Sequence, residues 1–173
     1  MSAGARGTTV WFTGLPSAGK TTLARAVEKR LLDAGRQVEL LDGDIVRTHL
    51  TKGLGFSRED RDENVRRVGF VANLLSRNGV VVLCSLVSPY RAVRDELRQL
   101  HEGRFLEVHV STPLEVCEAR DVKGLYAKAR AGEMQGMTGV DDPYEPPLDP
   151  DVVVPTQELS IDEAVELVWN AIP

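Results

Sequence analysis

The 173-residue chain holds 21 basic and 26 acidic side chains, a formal net charge of −5, with 42% hydrophobic and 27% charged residues. That is enough chain and apolar content for one ordinary domain with a continuous core, and it excludes global disorder. The acidic balance argues against sequence-independent binding to nucleic acid or an anionic membrane; no stretch reaches the ~18 apolar residues of a membrane span, and Met1 to Gly7 lack the apolar core of a signal peptide, so a cytoplasmic protein is expected.

The run Thr9-Val10-Trp11-Phe12 predicts a first buried strand. Leu23, Val27 and Leu31 recur every four residues, predicting a helix that stops at Ala34-Gly35. A second strand follows over Val38 to Leu41. The stripe Val65, Val68, Ala72 and Leu75 predicts a longer helix ending at Asn78-Gly79. Val80 to Leu83 forms a third strand, running into Cys84, which reads as a buried reduced thiol. Cys84 and Cys117 form no CxxC pair.

Ser88 reads equally as the cap of the next helix, with Pro89 at its first position, and as a ligand contact at the crevice, and the two roles are compatible. A fourth strand is expected over Leu106 to Val110 and a short helix around Leu125 to Ala131. Val152 to Val154 is a fifth strand. Ser160-Ile161-Asp162-Glu163 is a capping box opening a last helix that buries Ala164, Leu167 and Val168. Short continuous runs of β-branched residues alternating with helices predict a three-layer α/β domain with a parallel sheet, a single unit over residues 1–173. Asp121 to Pro150 breaks the alternation with Gly124, Gly132, Gly136, Gly139 and the Pro-rich piece Asp142 to Pro147, and is read as a lid. Trp11, Trp169 and Tyr126 read as core or edge residues; His49, His101 and His109 lack metal-ligand spacing and read as structural or surface residues.

Gly14-Leu15-Pro16-Ser17-Ala18-Gly19-Lys20-Thr21 matches GxxxxGK[ST] at every position, between a predicted strand and a predicted helix. Such a loop aims successive backbone N–H groups at a phosphate over a helix N-terminus, so the fold is read as that of the P-loop NTPases. Lys20 brings a positive charge to the β- and γ-phosphates, and Thr21 offers a hydroxyl to Mg²⁺. Val38 to Asp42 delivers a carboxylate at a strand's end, and Asp44 follows after Gly43. One of the two carboxylates would serve Mg²⁺ and the other would accept a proton from an attacking hydroxyl; the spacing alone leaves open which does which. Arg58 to Arg67 alternates four arginines with four acids and taken alone is a solvated helical face. Arg47 and Arg61 stand out because they lie just beyond the carboxylate pair, and a planar fork suits a phosphate or sulfate.

With these motifs the chain resembles the adenylyl-sulfate kinases from about Thr9 to Pro147. Beyond the phosphate loop the resemblance rests on Leu41-Asp42-Gly43-Asp44 with Arg47, Leu54-Gly55-Phe56-Ser57, Asp60-Arg61, Glu63 to Arg67, Ser88-Pro89-Tyr90-Arg91, Arg120-Asp121, Lys123 to Tyr126, Ala129 to Glu133 and Thr138 to Glu145. It implies phosphorylation of adenylyl sulfate at its 3′-hydroxyl by ATP with Mg²⁺. Gly14, Ser17, Ala18, Gly19, Lys20, Thr21, Thr22, Arg120 and Lys123 would serve ATP; Thr21 and Asp42 would hold the metal. Lys20, Asp42 and Asp44 would be catalytic, with Asp44 matching the base. Arg47, Phe56, Arg61, Asn64, Val87, Ser88 and Met137 would hold the acceptor, Phe56 stacking on its adenine. Residues 121–147 would close over both nucleotides. A homodimer is a family-level expectation.

Met137 stands where the family usually has an aromatic, and Ile45 where it often has Asn. These departures keep a P-loop kinase of another small hydroxyl compound as an alternative. A nucleotide-dependent switch is a further alternative, disfavoured by Asp42, Asp44, Arg47 and Arg61, since a switch needs no acceptor pocket. Only Met1 to Gly7 precede Thr8, so no fused sulfurylase domain is expected.

Overall fold

Alternation within one strand sets the layering. Val10 and Phe12 of β1 (Thr8–Thr13) enter one core cluster and Trp11 enters another, and all three are fully buried, because successive strand side chains point to opposite faces. In a computed structural model that describes residues 6–173, β1 is the middle strand of a five-stranded sheet. Its partners are β2 (Val38–Asp42), β3 (Val81–Ser85), β4 (Phe105–Val110) and β5 (Val152–Val154), in the order β2-β3-β1-β4-β5 with every pairing parallel. All five expected strands are present. The sheet is covered on both faces, as a parallel sheet requires. Residues 1–5, to which part of the reading of the N-terminus applied, lie outside the described residues.

On one face α1 (Lys20–Asp33) buries Leu23, Ala24, Val27 and Leu31, and packs against α7 (Ile161–Ala171). On the other, α3 (Arg58–Arg77) buries Val65, Val68 and Ala72 beside α4 (Arg91–Leu100). These two helices approach closely at Gly69, where a Cβ would lie 2.2 Å from Leu97 Cδ2. Shorter helices α2 (Gly43–His49), α5 (Leu114–Arg120) and α6 (Leu125–Arg130) line the carboxyl ends of the strands. From Ala131 to Asp151 the chain has no further helix, so the stretch beyond the short helix expected around Leu125 to Ala131 is irregular.

The helix ends fall at Ala34 and Asn78 as expected, and Ser160 and Glu163 form the capping box. Two local expectations fail. Leu167 is exposed, and α7 instead buries Ala164, Val165 and Val168. At 100° per residue those three share one face, whereas Leu167 falls about 105° from its centre. Ser88 does not cap α4: Tyr90 precedes the helix without a side-chain cap. Both cysteines are free and buried, and burial pushes the Cys84 thiol up. Among the described residues no helix is long and apolar enough to cross a membrane.

Candidate active site

In the sheet register Asp42 and Phe12 both pair with Ser85, so the carboxyl ends of β1, β2 and β3 finish at one level and their following loops share one crevice. The loop Gly14 to Gly19 leaves β1 there and delivers Lys20 as the first residue of α1. Gly14 admits no side chain, because a Cβ would lie 2.6 Å from the Val110 carbonyl oxygen. Ser17 (φ 62°) and Gly19 (φ 103°) take left-handed backbone angles, which in Ser17 must be held by surroundings.

The surroundings are visible. Tyr126 of α6 donates its hydroxyl to the Pro16 carbonyl at 2.8 Å, and the Val122 amide donates to Ser17 Oγ at 3.1 Å. The Ala18 carbonyl accepts from Thr112 (2.8 Å), Thr156 (3.0 Å) and Arg120 (3.3 Å). Sequence reading placed Tyr126 in the core, where its ring lies, but missed its hydroxyl; it missed Thr112 and Thr156 altogether. Thr156 had a signal, since it sits two residues beyond a predicted strand of a parallel sheet.

Lys20 is buried and donates to the carbonyls of Gly14 (2.9 Å) and Leu15 (2.8 Å). Burial pulls its ammonium from 10.5 down to about 8; Cys117 and Asp42 oppose that shift and Lys123 adds to it. Thr21 donates to Asp42 Oδ2 at 2.9 Å and lies 3.3 Å from Ser85 Oγ. Asp42 ends β2 and caps α2, its Oδ1 accepting from the Asp44 amide at 3.1 Å. A carboxylate beside two hydroxyls is the hard-oxygen donor set Mg²⁺ takes, usually through one or two carboxylates and the substrate phosphates. The residues present therefore fit that ion. Thr22 follows in the first turn of α1.

Asp44 stands exposed in the first turn of α2, and Lys123 reaches it from the turn between α5 and α6 at 2.6 Å. Arg120 Nη1 donates to Thr156 Oγ1 at 2.9 Å, which sets its guanidinium beside the loop's helix end. Arg47 lies with its guanidinium carbon 4.4 Å from the Phe56 ring centroid and donates to the carbonyls of Leu54 and Gly55 (3.2 and 3.0 Å). Burial, then the neighbouring Arg61 charge, lowers the Arg47 pKa. Arg61 pairs with Asp142 of the irregular stretch after α6 at 2.7 Å and donates to the Gly136 carbonyl. Asn64 accepts from the Thr51 hydroxyl at 2.7 Å. Arg66 and Arg67 turn outward to Glu96 and Glu63, so only part of the charged helix is a solvated face.

The loop after β3 faces the same crevice. Thr13 donates to the Val87 carbonyl at 2.7 Å. Ser88 is buried at φ 42°, accepts from the Trp11 indole N–H at 2.9 Å and donates to the Leu86 carbonyl. That contact, spanning 77 residues, takes the hydroxyl expected to cap α4. Phe56 is 61% exposed, whereas Met137 is only 4% exposed and joins the core cluster of Tyr126 and Cys117. Met137 is thus not a mirror of Phe56 across an open cleft. Its amide is held instead by Asp141 (2.8 Å), in a turn whose neighbour Gly136 meets Arg61. His109 packs against the Tyr144 ring, and His49 is exposed.

Comparison with known proteins bears on the same residues. The family model described as adenylylsulphate kinase matches residues 6–155. A probable adenylyl-sulfate kinase of Synechocystis sp. is 61% identical over 165 residues, 95% of this chain and 93% of its own length. An adenylyl-sulfate kinase of Synechococcus sp. is 63% identical over 167 residues, 96% of this chain and 95% of its own. Among solved structures, the Mycobacterium tuberculosis APS kinase in complex with AMPPNP and APS superposes with a TM-score of 0.92. It is 46% identical, and the match covers 96% of this chain and 98% of that one.

Proposed function

The chain belongs to the adenylylsulphate kinase family, and we propose how its residues divide that family's reaction. It transfers the γ-phosphoryl group of ATP to the 3′-hydroxyl of adenylyl sulfate, giving 3′-phosphoadenylyl sulfate and ADP. The observation that carries the division of labour is the position of α2: its cap Asp42 touches Thr21 of the phosphate loop, while Arg47, three residues beyond Asp44, lies over Phe56. One short helix thus joins a triphosphate cradle to a cationic, aromatic pocket.

Gly14, Ser17, Ala18, Gly19 and Lys20 form that cradle, with Thr21 and Thr22 opening the helix behind it. An incoming triphosphate takes over the Lys20 ammonium from the Gly14 and Leu15 carbonyls. Thr21 and Asp42 would hold Mg²⁺, which supplies charge neutralisation on the phosphate oxygens. Asp44 accepts the 3′-hydroxyl proton, leaving Asp42 to the metal. Arg120 packs by the adenine of ATP, and Lys123 moves from Asp44 to the transferring phosphoryl group. Arg47, Arg61 and Asn64 hold the acceptor's phosphosulfate and ribose, Phe56 stacks on its adenine, and Val87 and Ser88 form the wall. Met137 serves the acceptor through the turn it anchors. Residues 121–147 act as the lid, excluding water that would otherwise accept the phosphoryl group. Transfer of this kind needs alignment and charge stabilisation more than covalent chemistry.

Two buried free thiols fit a reducing, cytoplasmic setting. We extend the reading to a single kinase unit over residues 1–173 that assembles as a homodimer, which light scattering tests. A coupled ADP-release assay comparing adenylyl sulfate with other nucleotides and sugar acids tests the reaction. Turnover confined to adenylyl sulfate supports it; turnover with another acceptor and none with adenylyl sulfate overturns it.

A further inference from the structure

We infer that Arg94 is a positioning residue for the acceptor, an inference that rests on the acceptor assignment above: its buried guanidinium ties the Val87-Ser88 wall to the place where the lid rejoins the domain. Arg94 lies on α4 and is 1% exposed. Its Nε donates to Glu107 Oε2 of β4 at 3.0 Å, its Nη1 to the Ser88 carbonyl at 2.5 Å, and its Nη2 to the Glu145 carbonyl at 2.6 Å. All three nitrogens are engaged, each with a different part of the chain.

Both ends of this tie are held from a second side. The Glu145 amide donates to the Pro89 carbonyl at 2.8 Å, and its carboxylate accepts from the Arg91 amide at 3.1 Å. Next to it, the Tyr144 hydroxyl lies 2.9 Å from Thr13 Oγ1, the same hydroxyl that donates to the Val87 carbonyl. The lid's return and the acceptor wall therefore form one hydrogen-bonded unit centred on Arg94.

A buried ion pair is a poor stabiliser, since desolvation offsets the attraction and well-packed apolar replacements are often neutral. What an apolar pair cannot do is fix two carbonyls relative to each other. Ser88, at φ 42°, is a backbone position that needs such holding. A rigid fork of donors does this, and a lysine ammonium does not reproduce it. Arg94 thus acts through Ser88 and Glu145, keeping the wall in register with the closing lid.

The test compares wild type, Arg94→Lys and the double variant Arg94→Met with Glu107→Met, which removes both charges of the pair while Arg98, 3.6 Å from Glu107, keeps Asp151 at 2.9 Å. ATP and adenylyl sulfate are titrated separately, thermal unfolding is followed, and hydrogen exchange is read at the Glu145 amide. The double variant takes the Arg94 donors from the Ser88 and Glu145 carbonyls, so it should melt several degrees lower, by about 5–10 °C, and remain folded at assay temperature. Its KM for adenylyl sulfate should rise about tenfold, or about 1.4 kcal/mol, with KM for ATP within about twofold, and Glu145 should exchange faster. Arg94→Lys should show the same acceptor defect, and it carries the comparison alone if the double variant does not fold. A folded variant with unchanged acceptor KM and unchanged Glu145 exchange overturns the inference, as do equal rises in both KM values. If wild type itself ignores adenylyl sulfate, the substrate reading falls, and the Glu145 exchange alone then decides for or against the tie.

Discussion

Lys123 and Asp44, 79 residues apart in sequence, meet across the crevice with Nζ 2.6 Å from Oδ2, so the turn between α5 and α6 touches α2, the helix that carries the carboxylate. Both side chains are more than half exposed, and a pair of that kind contributes little to stability. The roles proposed for both residues therefore predict changes in rate rather than in stability. Lys123→Ala and Asp44→Asn should each leave the melting temperature within about 2 °C of wild type. Turnover should fall by about 10²-fold or more for Asp44→Asn, the usual range for a lost general base. Lys123→Ala should lower kcat more than it raises either KM, as the proposed role of the lysine at the transferring group requires. Steady-state kinetics alongside thermal melts check both; a Lys123→Ala enzyme with normal kcat would remove the lysine from the chemistry.

Lys20 makes nucleotide binding depend on pH in a stated direction. In the free protein its ammonium titrates near about 8; a bound triphosphate favours the charged form and raises that value. Affinity that requires the proton is thus complete below about 8 and declines above it, by up to about tenfold per pH unit until the bound-state pKa is reached. Between about 8 and 10.5 the unfolded chain holds this proton more tightly than the free folded protein, so the unliganded protein gains stability as pH rises through that window. Calorimetry with a non-hydrolysable ATP analogue from pH 7.5 to 9.5 tests the binding arm. Lys20→Arg, which stays charged throughout, should flatten the profile whatever its absolute affinity.

Arg61 is 9% exposed at its side chain and holds Asp142 and the Gly136 carbonyl. On the proposed assignment, which puts this guanidinium between lid and acceptor pocket, Arg61 should govern the acceptor and leave ATP alone. Arg61→Ala should raise KM for adenylyl sulfate by about 30-fold, the loss expected when about 2 kcal/mol of charge-assisted hydrogen bonding goes. Arg61→Lys should recover only part of it, since the charge returns without the fork. Equal changes in both substrates' KM would mean that Arg61 merely holds the lid.

How far the sequence revealed this site depends on the range of the contacts. The phosphate loop was fully legible because its pattern encodes backbone geometry within eight residues. Asp42 and Asp44 were legible because a parallel sheet sends strand ends to one crevice. Arg61 was singled out only by its place just beyond the carboxylate pair and Asn64 only through the family resemblance, yet both fall on the stripe of Val65, Val68 and Ala72 when it is extended back one turn. Extending that stripe would have separated them from Arg66 and Arg67. Ser88 and Leu167 were misread for different reasons: the first is captured by Trp11 from another strand, and the second lies just outside the buried arc of α7. The ties from Tyr126 to Pro16 and from Arg94 to Glu145 span 110 and 51 residues, beyond any local periodicity.

His101 gives the fold an acid-sensitive point remote from the crevice. It is fully buried beside Phe105, with ring centroids 5.1 Å apart, and its Nδ1 lies 2.7 Å from the Leu97 carbonyl. Among the described residues Nε2 has no partner. With Nδ1–H donating to Leu97, the neutral ring leaves its lone pair on Nε2, and a proton added there finds no acceptor. Burial, aided by the Arg104 charge, lowers the His101 pKa below 6.5, against a smaller opposing contribution from the Leu97 bond. The folded state therefore binds this proton less readily than the unfolded chain does. Stability from this residue is complete above pH 6.5 and is lost as pH falls below it, at no more than about 1.4 kcal/mol per unit. His101→Phe fills the same apolar space, and the Leu97 carbonyl keeps its bond from the residue 101 amide (3.1 Å in wild type). The variant should match wild type or exceed it near pH 5.5, and its urea midpoint should be flatter between pH 7 and 5.5. Identical slopes in the two proteins over that range would show that His101 titrates alike in both states and that the buried nitrogen has found water.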